Sequence, residues 1–370
     1  MLKIALLGDI AAFGKYCAIT NPNVKNELSD IKQFLSGYDI VLGNLETPFV
    51  DIDRPLGFKS AHISAHPGNI AILKWLGITH VSLANNHIAD FGVPAYKRTK
   101  ALLEEAGIEW FGAEGRHAEF VGGGEKIAFL GYCSYNTNPS RCKTDLGEVP
   151  NILDVESVLS DMAKYASLGY INILSVHSGQ EHVHFPSSDD VFFARSLAAK
   201  YDYIYHGHHP HVVQGVEDIE NSFLLYSLGN FLFDDVYTPR DAESPLIKLS
   251  EANKTGLVAS ITIKDGDIAE KKMLPIYLSS EKVLVGDEVS DFDIESYSEK
   301  LRNACSEAYD SHRRALIEEY IESRRRLRNF KWYWRRLNIN SLGLIIASKK
   351  NAKRYKSTFL DKLSRLRVSS

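Results

Sequence analysis

Four of the chain's 13 histidines fall within six residues, in the segment His206-Gly207-His208-His209-Pro210-His211, directly after the strand-like run Tyr201 to Tyr205. Neutral imidazole is a common donor to borderline metals, and its ordinary pKa of about 6.5 leaves it largely deprotonated at neutral pH. His209 and His211 flank Pro210, whose fixed φ and missing N–H favour a rigid, non-helical turn, so the two rings can converge on one point above a strand end. The chemistry suggested is metal binding. A surface loop merely rich in histidine is the plainer alternative until other ligands appear.

Those ligands recur at one kind of position, immediately after an apolar run. Asp9 ends the first such run, Asn44-Leu45-Glu46 the second and Asn85-Asn86-His87 the third; His177 ends the run beginning near Tyr170, and the histidine cluster ends the run near Tyr203. Asp9 and Glu46 offer carboxylate oxygens, His177, His209 and His211 offer nitrogens, and Asn86 offers an amide oxygen. This mixed set suits Mn, Fe or Zn better than the all-oxygen cage of Ca. Singly, each residue has an ordinary structural role, as a helix cap, an arginine partner or an Asx turn. Their shared placement on loops held by a scaffold points to a site.

The elements that must position them are legible. Residues 2–8, 38–44, 78–84, 126–132 and 170–176 are short apolar, β-branched runs, the pattern of buried strands. Helical stretches lie between several of them, at Val24 to Leu35, Asn69 to Leu76, Pro94 to Ala106, Val155 to Ser167 and Asp189 to Lys200. Alternation of strand and helix predicts an α/β layered domain, whose C-terminal strand ends line a ligand crevice. Phe223 to Leu228, Gly256 to Lys264 and Ile268 to Tyr277 then predict a β-rich layer, with an Asp265-Gly266 hairpin signature between the last two. Gly122-Gly123-Gly124 lacks the Lys-Ser/Thr of a P-loop and is taken as another hairpin turn.

With 370 residues and 44% hydrophobic content the chain can bury a sizeable core, and it has no apolar run of membrane-spanning length. The N terminus shows no signal-peptide pattern, and the four cysteines, Cys17, Cys133, Cys142 and Cys305, lack CxxC spacing. Both features set the expectation of a cytoplasmic protein. The net charge of −4 hides an asymmetry: from Glu295 onward there are 19 Lys+Arg against 8 Asp+Glu, and before it 24 against 39.

The ordered set Leu7-Gly8-Asp9, Gly43 to Glu46, Ser82 to Gly92, His177 to Glu181, Gly207 to Glu217 and Tyr226 to Phe231 resembles the CapA family of capsule-synthesis proteins associated with poly-γ-glutamate. The match runs from about residue 2 to 277. The resemblance implies a calcineurin-like metallophosphoesterase fold, a four-layer αββα sandwich, for the domain over residues 1–294; helical periodicity, few glycines and dense Lys/Arg mark 295–370 as a basic helical extension. The resemblance further implies one or two divalent ions held by Asp9, Glu46, Asn86, His177, His209 and His211, and His87 as the acid that protonates a leaving group. Asn44, Glu181, His208, Gln214 and Asn230 are implied on the substrate side. The chain departs from the parent superfamily where Ala11 replaces the histidine of Asp-x-His, and from CapA-like sequences where Ser178 follows the motif histidine in place of tryptophan.

The expected function is a metal-dependent hydrolase of phosphoester or amide bonds in capsule or exopolymer synthesis, poly-γ-glutamate or polysaccharide. The alternative is a non-catalytic assembly subunit of a membrane-associated polymer synthase. In the extension, Arg324 to Arg336 interleaves guanidinium groups with Trp332, Tyr333 and Trp334, and Leu342 to Ala347 adds an apolar patch. That composition suits an anionic membrane surface or a membrane synthase, met peripherally at the inner face through 324–367. A helical hairpin neutralising the acidic body is the competing reading. No nucleic-acid motif is present, and no nucleic-acid partner is expected.

Overall fold

The computed structural model describes residues 1–51, 54–237, 243–289, 292–326 and 339–369. The larger sheet is built from β1 (Leu2–Ile10), β2 (Ile40–Leu45), β3 (His80–Ser82) and β4 (Glu109–Phe111), all parallel and in that spatial order. The second sheet takes β5 (Ala118–Gly122) and β6 (Glu125–Cys133). The short pair β7 (Cys142–Lys143) and β8 (Glu148–Val149) stands apart. After β9 (Ile171–His177), β10 (Tyr203–His208), β11 (Val216–Ile219) and β12 (Ser222–Leu225), the second sheet reads β11-β12-β10-β9-β6-β5. The chain then returns to the first sheet with β13 (Asn230–Leu232), β14 (Thr255–Lys264), β15 (Asp267–Leu278) and β16 (Val283–Val285), where β14 lies antiparallel to β1.

Alternation along the strands creates the layers, because successive side chains leave opposite faces. Leu2, Ile4 and Leu6 of β1 meet Ile127 and Phe129 of β6, Ile173 of β9 and Ile204 of β10 in a core between the sheets. Ala5 and Leu7 face the other way, onto α2 (Ser29–Leu35), α3 (Ile70–Leu76) and α4 (Gly92–Ala106). On the opposite flank Ala128, Leu130 and Tyr132 of β6 pack against α5 (Val155–Ser167) and α6 (Ser188–Ala198). The architecture is therefore the expected four-layer αββα sandwich. Helix α5 shows why the sequence complies: Val155, Val158, Met162 and Tyr165 recur at helical spacing on its buried face, and Asp154 caps it by accepting the Ser157 N–H at 3.1 Å.

Differences from the sequence reading are local. The helix expected over 24–35 is two pieces, α1 (Val24–Glu27) and α2, separated at Leu28, whose φ of −103° and ψ of 7° leave the helical range. Strand β4 was not anticipated, because three residues ending a helix-rich stretch carry too little periodicity. Both hairpin turns are present, linking β5 to β6 and β14 to β15; in the second, Asp265 at φ 56° and Gly266 at φ 85° take the left-handed conformations a two-residue turn requires.

The basic extension is not a separate body. It comprises α8 (Ile294–Leu301), α9 (Glu307–Arg326), α10 (Ile339–Arg354), a π-helical turn (Tyr355–Leu360) and α11 (Asp361–Ser369), after the one-turn α7 (Glu251–Lys254) in the body. Leu301, Phe359 and Leu363 are buried in the same core as α5 and α6, and the Phe359 ring meets Phe193 at 5.3 Å. Lys362 pairs with Asp154 at 2.6 Å and Glu156 at 2.7 Å, so part of the positive charge neutralises the acidic body. Residues 327–338 of the arginine–aromatic run lie outside the described residues.

Candidate metal centre

The C-terminal ends of β1, β2 and β3 in one sheet and β9 and β10 in the other meet at one edge of the sandwich. Close backbone approach makes this possible: a Cβ on Gly8 would lie 1.9 Å from Gly229 O, and one on Gly207 would lie 2.0 Å from Tyr226 O. The first approach lets the Asp9 N–H bond Gly229 O at 2.9 Å and brings Asn230 of β13 beside Asp9. Asp9, Asn44, Glu46, His177, His208 and Asn230 are all completely buried.

Two groups of potential ligands result, Asp9 with His177 and His208, and Glu46 with His209 and His211; within each group the donor atoms lie within 4.8 Å of one another. The first group is satisfied by hydrogen bonds. Asp9 Oδ1 accepts from Asn44 Nδ2 at 2.8 Å and Oδ2 from the His209 N–H at 3.2 Å. His177 Nδ1 and His208 Nδ1 share a hydrogen bond at 2.8 Å, and His208 Nε2 meets Ser175 Oγ at 2.8 Å. The second group is different. Neither oxygen of Glu46 has a hydrogen-bond partner, although the carboxylate is fully buried. Its Oε1 stands 3.6 Å from His211 Nε2 and 3.7 Å from His177 Nε2.

A buried, unpartnered carboxylate is costly unless a charge compensates it. Burial pushes Glu46 well above the usual carboxylate range, with His211 working against that rise. Burial opposes charge on His211 as well, yet Glu46 and Asp9 carry it up to about 9. The other rings go the opposite way: burial holds His209 at about 3 and His177 and His208 well below 6.5. The neutral His177 and His209 nitrogens converging with a carboxylate that no hydrogen bond satisfies fit a divalent ion. Asn86 joins them, its Oδ1 2.9 Å from His177 Nε2.

The backbone of the histidine cluster is also special. His209 at φ 105° and His211 at φ 57° both occupy a region that L side chains rarely adopt, on either side of Pro210. The turn aims both rings inward, with centroids 6.0 Å apart. His206, the first of the cluster, points elsewhere: its Nε2 binds Leu7 O at 2.7 Å and ties the two sheets together.

Beside the ligands lies a cavity of about 90 Å³ lined by Lys59, Asn86, His87, Glu181, His182, His211 and Phe233, among others. Asn85 makes the anticipated Asx turn, its Oδ1 accepting the N–H groups of His87 and Ile88, and so presents Asn86 and His87. The His87 Nδ1–H donates to Asp90 Oδ2 at 2.6 Å, which leaves Nε2 as the free ring atom. Lys59 Nζ donates to Asp90 Oδ1 at 3.0 Å and to Asn86 O at 2.7 Å. Burial, reinforced by Lys59, lowers His87 to about 4; Asp90 is held down at about 2 by Lys59 and His87 against its burial.

Of the five residues expected on the substrate side, Glu181 alone lines this cavity among the described residues. Asn44 and Asn230 stand behind the candidate ligand side chains, Asn230 Oδ1 bonding His211 Nδ1 at 2.9 Å, while His208 belongs to the Asp9 group itself. Gln214 braces the adjacent loop by donating to Val183 O at 2.8 Å. None of these four is among the residues that line the cavity. Ser178 turns away too and donates to Asp190 Oδ1 at 2.7 Å. The sequence reading missed Lys59, Asp90 and His182. Asp90 had a usable signal in its i,i+3 spacing from His87; Lys59 had none, since the loop that carries it has no periodicity.

The chain is thus a two-sheet αββα sandwich with a carboxylate–histidine cluster at its C-terminal strand ends. Residues 3–235 match the family described as "Bacterial capsule synthesis protein PGA_cap", and the chain belongs to that family. It is 29% identical over 260 residues to the "Capsule biosynthesis protein CapA" of Bacillus anthracis, a match covering 67% of this chain and 63% of that protein. It is 26% identical over 298 residues to the "PGA biosynthesis protein CapA" of Bacillus subtilis (strain 168), covering 76% of each. Similar solved structures include a putative 5'-nucleotidase from Staphylococcus aureus, with a TM-score of 0.45, 11% identity, and coverage of 85% of this chain and 58% of that one. The NAD nucleotidase of Haemophilus influenzae gives a TM-score of 0.42 at 15% identity, covering 89% and 68%.

Proposed function

We propose that the chain is a metal-dependent hydrolase, phosphoesterase-like in its chemistry, that acts on a phosphoester or amide bond in the synthesis of a capsular polymer such as poly-γ-glutamate or a polysaccharide. The observation that carries this reading is the Glu46 carboxylate, buried without a hydrogen bond and grouped with His209 and His211, beside a cavity that His211 and His87 line. Glu46, His209 and His211 would hold one divalent ion, Mn, Fe or Zn, and Asp9, His177 and His208 with Asn86 would hold a second more weakly, since their hydrogen bonds already satisfy one another. Bound there, such an ion supplies Lewis acidity and lowers the pKa of water toward neutrality.

The protein's own groups do the rest. Asp90 fixes the His87 ring so that Nε2 is the atom that takes or gives a proton at the reacting bond. In the resting protein the ring is neutral; an anionic substrate beside it favours the imidazolium and so couples protonation to substrate arrival. Metal-reconstituted protein is expected to hydrolyse a generic phosphodiester, with His87→Ala lowering the rate by about 10² to 10⁴-fold at unchanged metal content. An inert reconstituted protein, together with full complementation by His87→Ala, sinks the enzyme reading.

A second reading, a non-catalytic subunit at a membrane-associated synthase, is favoured by one surface. On α10, Leu342, Ile345 and Ile346 are 68%, 54% and 62% exposed, and Lys349, Lys350 and Lys353 continue along the same exposed face. Exposed aliphatic groups followed by ammonium groups suit the boundary of an anionic bilayer. No helix among the described residues is long and apolar enough to cross a membrane. Peripheral association through 324–367 predicts that the full chain sediments with anionic liposomes and that Leu342→Ser with Ile346→Ser abolishes this; equal sedimentation of both refutes it.

A further inference from the structure

The residue after Glu181 carries a set of constraints that the metal centre does not use. His182 takes a left-handed φ of 62°, lines the cavity, and donates its backbone N–H to Pro210 O at 2.7 Å, between the two ligand histidines. Its tautomer follows from a neighbour. Asn253 Oδ1 accepts from the Ser250 N–H at 3.2 Å and the Ser250 hydroxyl at 2.7 Å, which fixes the amide's orientation. Its Nδ2 therefore donates, to His211 O at 2.9 Å and to His182 Nδ1 at 2.8 Å. With Nδ1 accepting, a neutral His182 carries its proton on Nε2. Glu181 Oε2 lies 4.0 Å from that nitrogen, beyond hydrogen-bond reach.

The ring is held from both sides. Its centroid stands 6.3 Å from that of His211 at 38° and 4.9 Å from that of Tyr320 at 31°, so a column of rings runs from the metal centre to α9. Helix α9 is pinned over this loop by Tyr309, whose hydroxyl donates to Pro186 O at 3.0 Å, and by Arg313, whose Nε donates to Phe185 O at 3.0 Å. Arg324, one turn beyond Tyr320, places its guanidinium 5.9 Å from the Tyr320 ring centroid and gives one N–H to Leu246 O at 3.4 Å, beside the cavity-lining Ile247. A guanidinium has five N–H donors, and among the described residues this is the one hydrogen bond Arg324 donates.

We propose that His182 Nε2–H, with Arg324 of the C-terminal extension at the rim, is an anion-reading arm of the cavity that binds an unreacting oxygen of a phosphate or carboxylate group on the substrate. This rests on the metal-centre reading and adds a substrate class to it. It also assigns the C-terminal helices a part in recognition. Glu181 lies in the same cavity and repels anions, so anion binding should require a divalent ion at the Glu46 group to offset that charge.

The test is calorimetric titration of the metal-reconstituted full chain with inorganic phosphate, with metal content measured on the same samples. His182→Ala should weaken phosphate binding about tenfold, the loss of one charge-assisted hydrogen bond. His182→Gln, which restores an N–H near the same place, should recover most of it; Tyr320→Phe should behave as wild type, whereas Tyr320→Ala weakens binding about threefold. The proposal is overturned if His182→Ala binds phosphate as wild type does, if His182→Gln is as weak as His182→Ala, or if metal-loaded wild type does not bind phosphate. Metal content decides the metal-centre reading separately, because His182 is not among its ligands.

Discussion

The two halves of the centre have nearly the same composition, a carboxylate and two imidazoles, and opposite states of satisfaction. Asp9 is satisfied by Asn44 and the His209 N–H, and His177 and His208 by each other and Ser175; Glu46, His209 and His211 are buried as well, yet neither Glu46 oxygen has a hydrogen bond. The difference shows that burial alone does not mark an ion site. The distinguishing feature is a buried carboxylate that no hydrogen bond satisfies.

The largest effects should separate the halves by sign. Glu46→Gln is expected to lower ion affinity by at least about 10²-fold, yet, above about pH 9 where His211 is neutral and no longer offsets the carboxylate, to stabilise the metal-free protein by roughly 2 kcal/mol. Asp9→Asn should instead destabilise the metal-free protein by about 1–3 kcal/mol, since the side chain would present an amide N–H to the His209 N–H. Denaturant titration of both chelated variants checks this, and shifts of the same sign would erase the distinction.

Next in size is Asp90→Asn, which loosens the His87 tautomer and should cut turnover about 10²-fold while leaving metal content intact. Turnover within threefold of wild type would remove Asp90 from the mechanism.

The pH dependence of the metal-free protein should also differ between the halves. His177, His208 and His209 are buried neutral with lowered pKa, so the unfolded chain binds protons first; their stability contribution is present above about 6.5 and is lost as the pH falls below it. His211 has the reverse sign: raised to about 9, it stabilises fully below about 6.5 and loses that contribution as the pH rises toward 9. Each proton is worth at most about 1.4 kcal/mol per pH unit. Melting curves should therefore decline on both sides, and Glu46→Gln should flatten the alkaline decline alone. An unchanged alkaline limb contradicts the Glu46–His211 coupling.

The smallest effect belongs to the closed half's support: Ser175→Ala should cost about 1 kcal/mol and leave the ion at the Glu46 group in place.

Much of this was legible in the sequence, for a physical reason. Buried parallel strands need continuous apolar runs, and the polar residue that interrupts each run stands out; Asp9, Glu46, Asn86, His177 and the 206–211 cluster were all visible this way. His208 was expected on the substrate side and His206 was given no site role; the structure ties His206 to Leu7 and groups His208 with Asp9 and His177, a distinction that two residues on one strand face do not signal by spacing. Lys59 and His182 were invisible, since their roles depend on loops folding back over the cavity. The extension was read as helical and basic, but Leu301, Phe359 and Leu363 entering the α5–α6 core depend on tertiary packing that no local pattern encodes.

The most direct test of the central claim is the metal content of the full-length protein after reconstitution with Mn or Zn and exhaustive dialysis, wild type beside Glu46→Gln. The account predicts about one retained ion per wild-type chain and essentially none in Glu46→Gln. Equal metal content in the two proteins, or none in wild type, contradicts it.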